Sequence, residues 1–231
     1  MSQPASRTRT VHHLDTPYST VSWPDIPLDD QDAILRLLCN LLSPLGQHRR
    51  AHVKPSKGKR ARKRRAKAGV GGTNALTAHD RVPPKPELCA KLDVGFSSIS
   101  RTLQMPSSDG GHQPYAMVFV ARGSQSAAFN CHFPKMVGVA CKDSPPDEKT
   151  RLVGFSKPCS DRLSSCLSIA RVSSVALRRD APGAAALWDL VRRKVAPIDM
   201  AWLDDAVGAE HRATKFVSVD TPIGNKKTRK T

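Results

Sequence analysis

The 231-residue chain carries 37 Lys and Arg residues against 20 Asp and Glu, which gives a formal net charge of +17 and a pI of about 10.1. The length suits one domain of ordinary size with flexible ends, or two small domains. The charge favours a polyanionic partner such as RNA or DNA. No apolar run approaches the ~20 residues that span a bilayer, and we expect no secretory signal because residues 1–17 lack an apolar segment.

The first elements in chain order are an arm and a helix. Residues 1–27 are rich in Thr, Ser and Pro, which predicts a flexible N-terminal arm. Residues 28–47 contain apolar side chains at helical spacing, and Asp29 lies at the end where a helix favours negative charge. Pro44 and Gly46 are expected to end this helix.

A strongly basic segment follows. Nine of the fourteen residues from Lys54 to Lys67 are Lys or Arg, and we predict a disordered basic loop over residues 48–81. Residues 221–231 form a second basic stretch, the tail of the chain. The loop could be a nuclear import signal, an electrostatic arm that binds nucleic acid, or a solvated spacer.

Helical and strand patterns alternate between residues 82 and 220. Two short helices are predicted on either side of Gly95, followed by a strand that is buried on both faces at 114–122. Further elements are predicted as a helix at 125–142, a strand at 150–155, a helix at 159–169 with Ser160 as its cap, a strand at 171–178, a helix at 181–197 and a strand at 215–221. This alternation predicts an α/β domain over residues 82–220, joined by the first helix. Its architecture would be a three-layer α/β/α sandwich around a small mixed sheet.

No residue pattern of a known catalytic site is present. The sequence lacks G-x-S-x-G, H-E-x-x-H and the phosphate-binding loop motif, and its six cysteines form no C-x-x-C pair. Cys131 and His132 are adjacent, so they would point in different directions on a helix and are poor candidates to share one metal. Phe119, Phe129 and Phe133 lie in apolar runs and are predicted to be core residues rather than a base-stacking platform. We expect no catalytic residue, no metal and no cofactor.

Two segments offer candidate RNA contacts. "GFSSISR" places Gly95, Ser97, Ser98 and Arg101 at the start of a helix, where amides and hydroxyls can meet phosphates or base edges. "GFSKPCSDR" places Ser156, Lys157 and Arg162 around a strand-to-helix turn. The alternative is that the serines cap helices and the cations solvate the surface.

Several segments together resemble a known family. "PLGQHR…H…PSKGKR", "VGFSSISR", "MVFVARGSQSAAFNCHFPKMV" and "APGAAAL…VR…V.P" are similar, in this order, to the fungal Pop-three protein subunits of ribonuclease P and ribonuclease MRP. The resemblance covers roughly residues 28–220. That family is similar in turn to the kink-turn RNA-binding ribosomal proteins of the L-seven-Ae type, which have an α/β/α sandwich fold.

The resemblance implies where RNA would bind. Ser97 and Ser98 stand where the kink-turn family has Asn and Glu, Arg101 stands at its basic position, and Arg171 lies in the matching loop before the last strand of the sandwich. A serine cannot make the two-point contact of an asparagine amide, so binding through backbone and charge is expected. The predicted basic loop over residues 48–81 would contribute further contacts from Lys57, Lys59, Arg60, Arg62, Lys63, Arg64 and Arg65.

The resemblance also implies a function. The protein would be a non-catalytic subunit, because the RNA performs the cleavage in these particles. It would bind ribonuclease P RNA and ribonuclease MRP RNA beside other protein subunits. It would act in precursor tRNA 5′ maturation and precursor rRNA processing. These processes would place it in the nucleus and nucleolus. We expect it to bind neither a membrane nor a small-molecule substrate. A ribosomal or small-nucleolar particle protein of the same fold is the first alternative, and an α/β enzyme with an unrecognised site is the second.

Overall fold

The computed structural model describes residues 8–15, 21–53, 83–104, 115–209 and 211–222. They belong to two units, Ser22–Asp199 and a terminal unit made from Met1–Val21 and Met200–Thr231. The elements in chain order are β1 (Thr8–Asp15), α1 (Leu28–His52), β2 (Leu92–Val94), α2 (Phe96–Gln104), β3 (Met117–Val120), α3 (Ala127–Asn130), α4 (His132–Ala140), β4 (Arg151–Gly154), α5 (Lys157–Leu167), β5 (Ser174–Leu177), α6 (Ala185–Lys194), α7 (Ala201–Val207) and β6 (Lys215–Pro222). Short 3₁₀ segments occur at Glu87–Lys91 and Arg122–Ser124.

The larger unit is built on a four-stranded sheet of order β2-β5-β3-β4. β3 and β4 are parallel, whereas β5 runs antiparallel to both β2 and β3. Every residue of β3, β4 and β5 is buried, as expected for strands covered on both faces. The sheet is therefore mixed, and the predicted α/β sandwich is confirmed.

Helices cover both faces of the sheet. The main core joins α1, α5 and α6 to the strand side chains of one face, including Phe119, whose ring stacks on that of Phe155 at 5.8 Å. On the other side α2 packs against β2 and β5, and α4 packs against β4 and α2. Burial of these apolar side chains is the principal source of stability for the unit.

Helix α1 is longer than predicted. It continues to His52 and contains Pro44, so the expectation that Pro44 and Gly46 end the helix is wrong. Leu42 and Leu45 on either side of Pro44 are buried in the core, whereas Pro44 itself is exposed. Tertiary packing of the apolar stripe thus overrides the local preference of proline.

Replacing Pro44 with alanine should raise the free energy of unfolding by about 1 kcal/mol. Alanine restores the N–H donor that proline lacks in a helix interior, and this gain exceeds the entropy that proline removes from the unfolded chain. Urea unfolding of the variant beside the wild type measures the difference. A less stable variant would mean that α1 does not run through this position as a helix.

Two other predictions are corrected in the sandwich. The two helices expected around Gly95 are a 3₁₀ segment at Glu87–Lys91, the short strand β2, and α2. Helix α5 begins at Lys157 with Ser156 at its N-cap, so Ser160 is not the cap. β2 escaped prediction because its three residues are defined by their pairing with β5 rather than by a pattern of their own.

The terminal unit contains a two-stranded antiparallel sheet. β1 pairs with β6 over its full length, from Thr8 opposite Pro222 to Asp15 opposite Lys215. Thr10 Oγ1 donates to Asp220 Oδ1 at 2.6 Å across the two strands. The prediction of a flexible arm over residues 1–27 is therefore corrected for this segment. The strand predicted at 215–221 exists, but it belongs to this sheet and not to a domain ending at residue 220.

The remaining predictions fall on residues that the structure does not describe. They concern residues 54–81 of the predicted basic loop and residues 223–231 of the predicted basic tail. Residues 48–52 belong to α1.

Candidate nucleic-acid interface

Four connections of the sandwich meet at one edge of its sheet. The register aligns Val94 with Val175, and Val120 with both Ser174 and Gly154, so β2, β3 and β4 end where β5 begins. With strands about 4.8 Å apart, these ends span about 14 Å. We name the surface formed by residues 95–101, 121–126, 155–158 and 168–173 the strand-end surface.

Gly95 connects β2 to α2 at this surface. Its φ of +95° is a conformation that other residues rarely adopt, which explains the glycine. Its N–H donates to the carbonyl of Ser174 at 2.9 Å and so ties the start of α2 to β5. Ser97 and Arg101 are exposed one helical turn apart, on the same side of α2.

Ser98 was predicted to contact RNA, but its side chain makes a hydrogen bond within the protein. Its hydroxyl donates to Asp93 Oδ1 at 2.8 Å, and Tyr115 donates to Asp93 Oδ2 at 2.7 Å. Tyr115 is fully buried, and burial raises the pKa of its hydroxyl, so Tyr115 stays a donor. Ser98 therefore belongs to a structural hydrogen-bond network at the base of α2.

Replacing Ser98 with alanine should lower the free energy of unfolding by about 1 kcal/mol, because the carboxylate of Asp93 loses one of its donors. RNA affinity should stay unchanged. The matched control is the exposed Ser97→Ala, which should leave stability within about 0.5 kcal/mol of the wild type. Urea unfolding and a filter-binding titration give the two readouts. A loss of affinity at unchanged stability would restore Ser98 to the interface.

The turn between β4 and α5 places two further predicted residues at the surface. Ser156 is the N-cap, and its backbone N–H donates to Gln31 Oε1 of α1 at 3.0 Å. Lys157 is exposed in the first turn of α5. Gly123 lies so close to Lys157 that a Cβ at this position would overlap with the backbone nitrogen of Lys157. The β3 and β4 connections are therefore packed directly on each other.

Arg171 lies in the loop before β5, and its side chain is exposed. The loop is held at both ends. Ile169 N–H donates to the carbonyl of Ser164 at 3.1 Å at its start, and Ala121 N–H donates to the carbonyl of Ser173 at 2.9 Å at its end. Arg171 thus projects from a fixed position between the connections after β2 and β3.

The sequence prediction missed Arg122. This exposed residue lies two positions after the last residue of β3, and its guanidinium lies 4.5 Å above the ring centre of Trp23 in a cation–π contact. A signal was available, since Arg122 ends the apolar run "MVFVAR". Recognising it required knowing that β3 ends beside β4.

The strand-end surface is positively charged. Its four segments contain the exposed cations Arg101, Arg122, Lys157 and Arg171 and no acidic residue. At the opposite edge of the sheet, the connections before β4 and after β5 contain Lys142, Lys149, Arg178 and Arg179, but these are balanced by Asp143, Asp147, Glu148 and Asp180. Asp93 lies just before this surface and accepts from Ser98, and the exposed Asp161 lies one helical turn after Lys157 in α5, so the excess of positive charge is confined to the four segments. Exposed cations in such an arrangement suit phosphate groups. The structure thus brings Gly95, Ser97, Arg101, Ser156, Lys157 and Arg171 to one surface.

The predicted RNA contacts at Lys57, Lys59, Arg60, Arg62, Lys63, Arg64 and Arg65 lie outside the described residues.

The aromatic side chains beside α2 are more exposed than predicted. Phe119 and Phe133 are buried, but Phe129 is only partly buried and belongs to a cluster with Phe96 and Phe133. The ring centres of Phe96 and Phe129 are 5.0 Å apart, and those of Phe129 and Phe133 are 5.5 Å apart. The prediction that Phe129 is a core residue is thus corrected.

The described part of the chain contains no group of three or more His, Cys, Asp or Glu side chains placed to hold a metal ion. None of the helices described has the length and apolar character needed to cross a membrane. Comparison with protein-family models gives no match, and comparison with curated proteins gives none at the level of significance required.

Proposed function

We propose that this protein is a non-catalytic, RNA-binding subunit of ribonuclease P and ribonuclease MRP, and that it holds folded RNA on the strand-end surface. The observation that carries RNA binding is the gathering of four exposed cations, without one acidic residue, on four connections at one sheet edge. The assignment to these two particles rests on the resemblance of residues 28–220 to their Pop-three subunits.

The arrangement suits recognition of RNA by shape and phosphate position. Arg101, Lys157 and Arg171 project from a helix, a helix start and a tethered loop, and the sheet fixes the distances between them. Such contacts position RNA without reading its sequence. The exposed hydroxyl of Ser97 and the first turn of α5 add hydrogen-bonding groups for phosphate or ribose oxygens.

In this proposal the protein contributes charge neutralisation and positioning, and the RNA subunit performs the cleavage. Cations on a rigid surface favour a folded RNA whose phosphates are brought close together, because they reduce the repulsion between those phosphates. The substrates would be precursor tRNA and precursor rRNA, and the site of action the nucleus and nucleolus. The basic residues between Lys54 and Lys67 would serve there as an import signal, as a second electrostatic contact, or as both.

The experiment that tests the proposal is crosslinking of an epitope-tagged protein to RNA in fungal cells, followed by sequencing of the bound RNA. We expect enrichment of ribonuclease P RNA and ribonuclease MRP RNA over the input. The variant Ser97→Ala/Arg101→Ala should weaken or shift the crosslinks on both RNAs. Recovery of no RNA above an untagged control would overturn the proposal.

A second outcome distinguishes the nearest alternative. Ribosomal or small nucleolar RNA in place of the two expected RNAs would keep the RNA-binding surface and replace the particle, because the same fold occurs in those assemblies. Unchanged crosslinks of the expected RNAs in the variant would keep the function and remove α2 from the interface.

A further inference from the structure

The terminal unit contains a surface that the proposed RNA interface does not use. β1 and β6 form a two-stranded sheet, which we name the terminal ribbon, and no third strand joins it among the described residues. The two strands are paired over their full length, from Thr8 opposite Pro222 to Asp15 opposite Lys215. A two-stranded sheet alone is marginally stable in water, and a further strand or a packed face stabilises it. The ribbon thus has the form of an incomplete sheet.

Apolar side chains are exposed on both faces of the terminal ribbon. Leu14 lies opposite Phe216, and these side chains are 72% and 71% exposed. Val11 lies opposite Val219, which is 44% exposed, and this pair belongs to the other face because side chains alternate along a strand. An antiparallel sheet that meets solvent usually has polar side chains on its free face. The pattern is therefore typical of a sheet that is covered by protein.

Several polar side chains of the ribbon are bonded across its two strands. Thr10 Oγ1 donates to Asp220 Oδ1 at 2.6 Å, and Lys215 Nζ lies 3.4 Å from Asp15 Oδ2. These groups are engaged within the ribbon. The apolar side chains and the backbone edges are what the ribbon offers to a partner.

The outer edge of β1 is suited to accept a further strand. Pairing with β6 uses one edge of β1, so the N–H and C=O groups of the other edge point away from the ribbon. Proteins protect such edges with proline, lysine, bulges or short strands. β1 is eight residues long, contains neither proline nor lysine, and pairs without a bulge, whereas β6 begins at Lys215 and ends at Pro222. An extended segment of another chain can therefore add to β1 through main-chain hydrogen bonds.

The charge of the ribbon favours a protein over RNA. Its two strands contain Arg9 and Lys215 against Asp15 and Asp220, so its formal charges cancel within a chain of net charge +17. A polyanion is attracted to the basic parts of the chain rather than to a neutral ribbon. A second copy of the chain is disfavoured as well, because two molecules that each carry +17 repel each other. The occupant that fits is a different protein with a neutral, partly apolar segment.

We propose that the terminal ribbon binds a different protein, which adds an extended segment to the outer edge of β1 and covers Leu14 and Phe216 with apolar side chains. The segment would have an apolar residue at every second position, since successive residues of an added strand face the two sides of the sheet in turn. The inference goes beyond the proposed function, because the ribbon contains none of the residues proposed to bind RNA.

The test uses the full-length, epitope-tagged protein in fungal cells, with a photoreactive benzophenone amino acid in place of His13, an exposed residue of β1. Mass spectrometry identifies the crosslinked molecule and locates the adduct. We expect one protein as the main product, crosslinked through an extended stretch with alternating apolar residues. A synthetic peptide of that stretch should bind the purified full-length chain and slow the hydrogen exchange of backbone amides in β1.

The double variant Leu14→Thr/Phe216→Thr should weaken binding of the peptide at least about tenfold, because it removes apolar area from the interface. Threonine has a high β propensity, so the pairing of β1 with β6 is kept. The matched control is Leu28→Thr/Val139→Thr, which removes two apolar side chains of the larger unit that are 66% and 52% exposed. The control should bind the peptide like the wild type.

RNA or a second copy of the chain as the main crosslinked product would overturn the inference, and so would the absence of any product. Slowed exchange in the sandwich and not in β1, or equal peptide affinity of the two double variants, would also contradict it. None of these results overturns RNA binding at the strand-end surface, which is measured separately with Ser97→Ala/Arg101→Ala. Conversely, a chain that binds the peptide through β1 but binds no RNA would overturn the proposed function and keep the inference.

Discussion

Replacing Gly46 with alanine should lower the free energy of unfolding by about 2 kcal/mol. Gly46 lies where α1 crosses α5, and a Cβ at this position would overlap with the carbonyl oxygen of Cys166. Because the obstacle is backbone, it cannot rotate away as a side chain would. Overpacking of this kind costs about 3 kcal/mol, and the higher helix propensity of alanine recovers about 1 kcal/mol.

The consequence of this change extends through the main core. α1 supplies Ile34, Leu35, Leu38 and Leu42, all of them fully buried, so a displacement of α1 from α5 loosens the packing of the whole face. Tight packing transmits such a displacement instead of absorbing it. The variant should therefore unfold at lower urea concentration in a single transition.

The control for Gly46→Ala is Gln47→Ala on the same turn of the helix. Gln47 is exposed, and its change should leave the free energy of unfolding within about 0.5 kcal/mol of the wild type. Equal stability of the two variants would show that α1 and α5 do not approach each other as closely as described. Urea unfolding followed by circular dichroism measures all three proteins.

The strands of the sandwich could be predicted from sequence because they are short apolar runs with few alternatives. Residues 117–120, 151–154 and 174–177 are buried throughout, and a continuous apolar run between turn residues is the pattern of a strand covered on both faces. β2 has no such run. It is a strand only because Leu92 and Val94 face Leu177 and Val175 of β5, which local sequence does not reveal.

Long-range pairing explains the other differences. β1 and β6 are about 200 residues apart in the chain, and the sequence of neither strand indicates that it pairs with the other. The end of α1 was misplaced for a related reason. Pro44 stops a helix in isolation, but the burial of Leu45 and the close contact of Gly46 with α5 keep the chain helical.

The candidate site was predicted in its parts and not as a whole. Arg101, Lys157 and Arg171 could be singled out one at a time, as cations near helix starts and loops. Their convergence depends on the strand order, since β5 lies between β2 and β3 and brings the loop of Arg171 to the same edge. Arg122 was not among the predicted residues because that order was unknown. The bond of Ser98 to Asp93 could not be predicted either, because it depends on the direction of the side chain.

Replacing Lys157 and Arg171 together with alanine should weaken binding to a transcript of a fungal ribonuclease P RNA by at least about tenfold. The slope of log Kd against log salt should fall by about 2, because each lost phosphate contact removes about one unit. Both residues are exposed, so the fold should be unaffected. Equilibrium titrations at several salt concentrations give the affinity and the slope together.

The control for this double variant is Lys142→Ala/Lys149→Ala. These two lysines lie in the connection between α4 and β4, at the opposite edge of the sheet, and each double variant removes two positive charges from the net charge of +17. General attraction between the protein and RNA is therefore reduced equally in both. Only a local contact at the strand-end surface can make the first variant weaker than the second.

Equal losses of RNA affinity in the two double variants would mean that the net charge of the protein attracts RNA without a contact at the strand-end surface. The interface would then be sought in the segment from Lys54 to Lys67. A loss of affinity with an unchanged salt slope would mean that Lys157 and Arg171 support the interface without meeting phosphate. A larger loss and a lower slope in the first variant alone require phosphates at the strand-end surface.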